Sequence, residues 1–236
     1  MSRVSRKQLP IAEANPSSLA ADAYHAIRTN IQFRGVGNER KSIFITSANR
    51  GEGRSTTAAN LAVTFCQAQQ HVLLVDADLR KPSLHTFFDV QCEDGLSNFL
   101  LEETEQPPYI KVPGISSLTL LPSGPQPRVP ASLFASRRFE DYLEAVRYQF
   151  DVIIIDGPPV LATSEALNLA KSMDGTIVVI DAQRTNRISA QRMLGRLQEL
   201  DVNVVGAVLN RLSRQARKYP VGSALQTEFL SKPLHW

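Results

Sequence analysis

Apolar runs the length of strands recur along the chain with helix-like segments between them: SIFITS (42–47), HVLLVDA (71–77), LTLLPS (118–123), DVIIID (151–156), GTIVVID (175–181) and VNVVGAVLN (202–210). Several are apolar on both pleat faces, a pattern that suits a strand whose sheet is covered on each side. The helix-like segments lie near 54–69, 131–148, 163–171 and 186–200, so strand and helix alternate. The expected fold is α/β, with a mostly parallel central sheet and helices on both faces. The Pro- and Gly-rich stretch from Gln106 to Pro130 reads as loops flanking one short strand. With 236 residues, 43% of them hydrophobic, the chain can bury a sizeable core.

Before the first strand a separate helix is expected over 16–33, starting at Pro16. Leu19, Ala23, Ile27 and Ile31 recur every fourth residue as its docking stripe, while Asp22, His25 and Arg28 share a different face, available to another surface. The chain thus divides into an N-terminal segment (1–15), a domain (16–210) and a basic tail (211–236). Arg211, Arg214, Arg217 and Lys218 carry the tail's charge, which suits a solvated tail or contact with an acidic partner or anionic surface.

Other classes find little support. No apolar run approaches the roughly 20 residues of a membrane span, and MSRVSRKQLPIAEANP lacks the apolar core of a secretory signal. A cytoplasmic protein is expected. The net charge of +3 does not call for nucleic acid, and Cys66 and Cys92 lack partners at metal-ligand spacing. His25, His71, His85 and His235 have no nucleophile beside them in the sequence. Ile188, Met193, Leu194, Leu197 and Leu200 read as core packing of a helix, and Arg137 and Arg138 as a solvated face.

Chemistry concentrates at strand ends. SANRGEGRSTTAANLA (47–62) joins a strand to a small-residue helix through a glycine-rich turn, the place where backbone N–H groups and a helix N-terminus cradle phosphate. Gly51 and Gly53 supply the turn, Ser55 stands where a hydroxyl ligates magnesium, and Thr56 can donate to a phosphate oxygen. HVLLVDADLRKP puts Asp76 and Asp78, and DVIIIDGPP puts Asp156, at strand ends of the kind where open α/β sheets bind ligands. Three acids at one rim need a cation, and magnesium with ATP provides one.

The order of glycine-rich loop, V-D-x-D-x-R-K-P and I-I-I-D-x-P-P resembles the bacterial tyrosine kinases that regulate capsule and exopolysaccharide synthesis. They are a branch of the P-loop ATPases that includes septum-site and plasmid-partition proteins, and the resemblance runs from about Leu19 to Asn210. It implies that Asp76 coordinates magnesium and activates the acceptor tyrosine, that Asp78 assists, and that Asp156 holds the magnesium's water shell. It also implies that Asn210 contacts adenine with Arg211 beside it, and that Arg50, Gly51, Glu52, Gly53, Arg54, Ser55 and Thr56 line the phosphates. The implied partner is a membrane-anchored polysaccharide co-polymerase, and Asp22, His25 and Arg28 match a helix motif that closes a ring of subunits.

The sequence departs from that family at identifiable places. Arg54 stands where the loop has lysine, and Arg50 where it usually has proline. Asp22 and His25 replace a glutamate and an arginine in the helix motif, and the tail offers Tyr219 alone as acceptor where a tyrosine cluster is usual. Asn49 replaces the additional lysine of the partition-type relatives, which favours the kinase branch. Two activities lead, an ATP-dependent tyrosine autokinase or a nucleotide-binding regulator of the same machinery without turnover; a partition-type ATPase that hydrolyses ATP is a third choice, against which the missing lysine argues.

Overall fold

The structure is a computed structural model that describes residues 9–33, 42–102 and 106–212. Its strands are β1 (Ser42–Ser47), β2 (Val72–Asp76), β3 (Ile110–Lys111), β4 (Leu118–Leu121), β5 (Val152–Asp156), β6 (Gly175–Asp181) and β7 (Val204–Asn210). The helices are α1 (Ile11–Ala14), α2 (Leu19–Phe33), α3 (Arg54–Gln67), α4 (Leu84–Phe88), α5 (Leu96–Leu101), α6 (Pro130–Phe134), α7 (Arg137–Gln149), α8 (Glu165–Ser172) and α9 (Arg187–Gln198).

The strands form one sheet in the order β3-β4-β2-β5-β1-β6-β7, parallel throughout except for the β3–β4 pair. The central strands β1, β2, β4 and β5 are buried along their whole length, because helices lie on both faces. One core joins the sheet to α3 through Ala58, Leu61, Ala62 and Phe65, with Ala12, Ile31, Leu84 and Phe88 packed around that helix. The other packs α5 to α9 on the opposite face through Phe99, Leu133, Phe139, Leu143, Leu169, Met193 and Leu197. Small residues in α3 let it approach the sheet closely, which brings its first turn to the carboxyl ends of β1 and β5.

All the strands expected from sequence form, with ends trimmed by a residue or more in four of them. Elements too short to show a period were not legible: α1, α4, α5 and β3. The helix expected over 131–148 is broken in two. Ser136 stops α6 with its N–H on the Leu133 carbonyl (3.2 Å) and starts α7 by accepting the Phe139 N–H on its Oγ (3.3 Å).

The N-terminal helix begins at Leu19, where Ser18 Oγ accepts the Ala21 N–H (3.2 Å). Its docking stripe differs from the expected one, for Leu19 is 71% exposed. A strict spacing of four drifts round a 3.6-residue helix by about 40° per step. The side chains turned inward are Ala21, Tyr24, Ile27, Arg28 and Ile31, so Ile27 and Ile31 of the expected stripe do dock while Leu19 does not. Arg28 is accordingly not offered to another surface: its Nη1 donates to the Thr64 carbonyl of α3 (3.3 Å). Asp22 is exposed and His25 half-buried.

Two further expectations are corrected. Arg138 stacks over the Phe99 ring, 4.8 Å from its centroid, and donates to the Phe99 carbonyl (3.0 Å), rather than lying on a solvated face. In α9, Met193 and Leu197 are core, but Ile188 is 62% exposed.

Gly157, just past β5, tests how tightly this edge is built. A Cβ there would sit 1.9 Å from Cε2 of the buried Phe44 ring. Gly157→Ala is expected to cost about 1–3 kcal/mol by overpacking, read as a fall of roughly 2–12 °C in melting temperature; an unchanged melt would contradict this packing.

Candidate active site

The carboxyl ends of β1, β2, β5, β6 and β7 converge on one rim. After β1 the chain turns through residues 48–53 and enters α3, with Gly51 at φ 77° and Gly53 at φ 101°, the left-handed region that favours glycine. Gly53 has a second reason to lack a side chain, since a Cβ would meet Asn210 Nδ2 at 2.0 Å. Arg50 lies exposed at the loop, Ser55 is half-buried at the start of α3, and Thr56 is exposed.

Glu52 was expected to line the phosphates, but its carboxylate serves the loop itself. It is 2% exposed; Oε2 accepts the Asn49 N–H (3.1 Å), and Oε1 accepts Asn49 Nδ2 (3.2 Å) and the Thr185 hydroxyl (2.6 Å). Thr185 Oγ1 also accepts the Asp181 N–H (2.9 Å), so the loop is tied to the end of β6. Asn210 Nδ2 donates to the Glu52 carbonyl (3.0 Å), and Asn210 Oδ1 accepts the Arg211 N–H (2.8 Å). Arg211, at φ 57°, sends its guanidinium to Asp181. Burial works to raise the Asp181 carboxyl, but the Gln183 N–H and Arg211 outweigh it and hold the group below the usual carboxylate range. Sequence reasoning missed Asp181 and Thr185, although GTIVVID ends in aspartate as the runs before Asp76 and Asp156 do.

The sheet register sets Asp76 directly beside Asp156 on adjacent strands. Asp76 Oδ2 caps α4, accepting the N–H groups of Ser83 (2.9 Å) and Leu84 (3.0 Å). Asp76 Oδ1 and both oxygens of Asp156 are buried without a hydrogen-bond partner. Burial first, and then the facing Asp156, push the Asp76 carboxyl well above the usual range despite the two backbone donors. Burial pushes Asp156 up to about 7, while Arg54 and Ser55 pull it down. Orphaned carboxylate oxygens in so dry a place fit a cation. Among the described residues no group of three or more His, Cys, Asp or Glu could hold a metal ion, so these carboxylates alone do not complete a metal site.

Arg54 is 7% exposed and folds beneath the loop. Its Nε donates to the Gly157 carbonyl (2.7 Å), Nη1 to Ser47 Oγ (2.8 Å) and the Asn49 carbonyl (3.0 Å), and Nη2 to Asp78 Oδ2 (3.0 Å). Asp78 is thereby paired, and its Oδ1 accepts the Lys81 N–H (3.2 Å). Arg80 Nε meets Glu165 Oε1 at 2.6 Å, clasping the segment after Asp78 to the start of α8; sequence gave no sign of Glu165. Tyr219, with Arg214, Arg217 and Lys218, lies outside the described residues.

A family model described as ParA: NUBPL iron-transfer P-loop NTPase matches residues 38–219. The tyrosine-protein kinase YwqD of Bacillus subtilis is 40% identical over 200 residues, 85% of this chain and 84% of that protein. The tyrosine-protein kinase CpsD of Streptococcus agalactiae serotype Ia is 32% identical over 217 residues, 92% and 93% of the two chains. The chain belongs to the bacterial tyrosine-protein kinases, within that P-loop NTPase family. Solved kinase structures agree: the chimerical protein CapA2B2 superposes with a TM-score of 0.82 at 33% identity, covering 87% of this chain and 90% of that one. The kinase domain of Escherichia coli ETK gives 0.81 at 30% identity, covering 89% and 85%. By homology the protein is a tyrosine-protein kinase, and its P-loop NTPase fold carries nucleotide binding with it. Among the described residues no helix is long and apolar enough to cross a membrane.

The acid pair makes stability depend on pH in a stated direction. A carboxyl whose folded-state pKa is raised, here from 3.8 to about 7, lowers stability as pH climbs through that interval. Without nucleotide or metal, Asp156→Asn is expected to melt roughly 3–10 °C higher than the unsubstituted kinase at about pH 8, the gap closing below about pH 4. Melts across that range check it, and a gap that widens toward acid would contradict the assignment.

Proposed function

We propose that this kinase is an ATP- and magnesium-dependent tyrosine autokinase acting in capsular or exopolysaccharide synthesis and export. The observation that carries the reading is the set of buried, unpartnered oxygens on Asp76 and Asp156 beside the glycine-rich loop. In this reading the backbone from Gly51 to Ser55 receives the phosphates at the start of α3. Ser55, Asp76 and, through water, Asp156 would hold magnesium. Bound there, the ion would supply charge neutralisation on the phosphates. The Asp76 carboxylate activates the acceptor tyrosine, with the capping bonds on Oδ2 fixing the carboxyl's orientation. Asn210 and Arg211 flank the base, and Tyr219 is the acceptor candidate in the tail.

The partner is proposed to be a membrane-anchored polysaccharide co-polymerase whose cytoplasmic tail docks on the kinase and recruits it to the inner face of the membrane. The close superposition on the chimerical protein CapA2B2 supports this. A subunit ring through α2 would rest on Asp22 and His25, since Arg28 is engaged with α3.

The internal bonds of Arg54 favour a second reading, a regulator that binds nucleotide without transfer. Intact-mass measurement with site mapping separates the two. With ATP, magnesium and the partner's tail, phosphate on tyrosine is expected, and Asp76→Asn is expected to cut its rate by roughly 100-fold or more. Nucleotide-dependent partner binding without phosphotyrosine would replace the kinase reading by the regulator.

A further inference from the structure

A guanidinium carries five N–H groups in a rigid fork. In Arg54 four of them are directed at the protein: to the Gly157 carbonyl, the Ser47 hydroxyl, the Asn49 carbonyl and Asp78. These acceptors belong to the ends of β1 and β5, to the loop and to the segment after β2. One N–H on Nη2 is left for anything else. The pair with Asp78 is nearly closed to solvent, with both side chains 8% exposed.

We infer that Arg54 is a brace rather than a phosphate ligand: it ties the glycine-rich loop to the ends of β1, β2 and β5, and Asp78 is its counter-ion. An ammonium at the end of a lysine has three N–H groups on one atom and cannot span acceptors on four sides of a planar fork. The substitution therefore changes the task of the position. Phosphate is held by backbone N–H groups and magnesium, while the loop is kept in place by the guanidinium. Asp78 is a positioning residue, because its Oδ2 is bonded to Arg54 and its Oδ1 to the Lys81 N–H. The third acid is thereby neutralised from within, while Asp76 Oδ1 and both oxygens of Asp156 keep no hydrogen-bond partner.

This inference rests on the nucleotide reading of the loop but is tested apart from it. Thermal melts of the nucleotide-free protein would compare Arg54→Met, Asp78→Asn and the double variant. Breaking a buried pair on one side is expected to lower the melting temperature by roughly 6 °C or more, whereas the double variant loses no more than the worse single one. Additive losses, or an unchanged Arg54→Met melt, would overturn the brace. Calorimetric titration with ADP adds an independent arm. Arg54→Lys is expected to melt lower yet bind ADP as tightly or more tightly, since its ammonium is released toward the phosphates. A loss of ADP affinity of about tenfold or more, about 1.4 kcal/mol, with an unchanged melt, would make Arg54 a phosphate ligand after all. If the unsubstituted kinase does not bind ADP, the nucleotide reading fails, and the melting cycle alone still decides the brace.

Discussion

Asp76 and Asp156 stand side by side at the ends of adjacent buried strands, and among the described residues no cation is bonded to either carboxylate, although Arg54 lies near enough to pull Asp156 down. Water is excluded there, so the pair repels and resists ionisation together. Such an arrangement costs stability and persists where function demands it. The rest of the rim reads as a response to that local charge. Asp76 is half relieved by the first turn of α4, Asp78 is fully paired by Arg54, and Asp181 is paired by Arg211. What is left uncompensated is the part that a metal and phosphates would complete.

The loop that would bring those phosphates is held from two directions. Arg54 anchors its root to the strand ends, and Glu52 anchors its crest to Asn49 and Thr185. Through Thr185, Asp181 and Arg211 the same bonds reach Asn210, which lies against Gly53. The proposed phosphate and base sides of the pocket are therefore one connected network. A change on either side is expected to be felt on the other.

Much of this was legible in the sequence because strand ends in a parallel sheet share an edge. Once SIFITS, HVLLVDA and DVIIID are read as parallel buried strands, Ser47, Asp76 and Asp156 share one rim, and the observed order β2-β5-β1 brings them together. What sequence could not supply was the partner of each polar group. Glu52 and Arg54 look like ligand-facing residues in a loop, yet both turn inward, because an exposed glycine-rich turn needs side chains to hold it. The α2 stripe held at Ile27 and Ile31 but not at Leu19, for a geometric reason: a spacing of four looks helical but drifts, and Arg28 turned toward α3. The capping role of Asp76 depends on α4, an element of five residues with no detectable period.

The most direct test is calorimetric titration of the kinase with ATP at about pH 8, with and without magnesium, alongside Asp156→Asn. The acid pair requires that magnesium tighten binding by roughly tenfold or more, ~1.4 kcal/mol, in the unsubstituted kinase and much less in the variant. Equal affinity with and without magnesium would contradict the assignment of Asp76 and Asp156 as the pair that a cation completes.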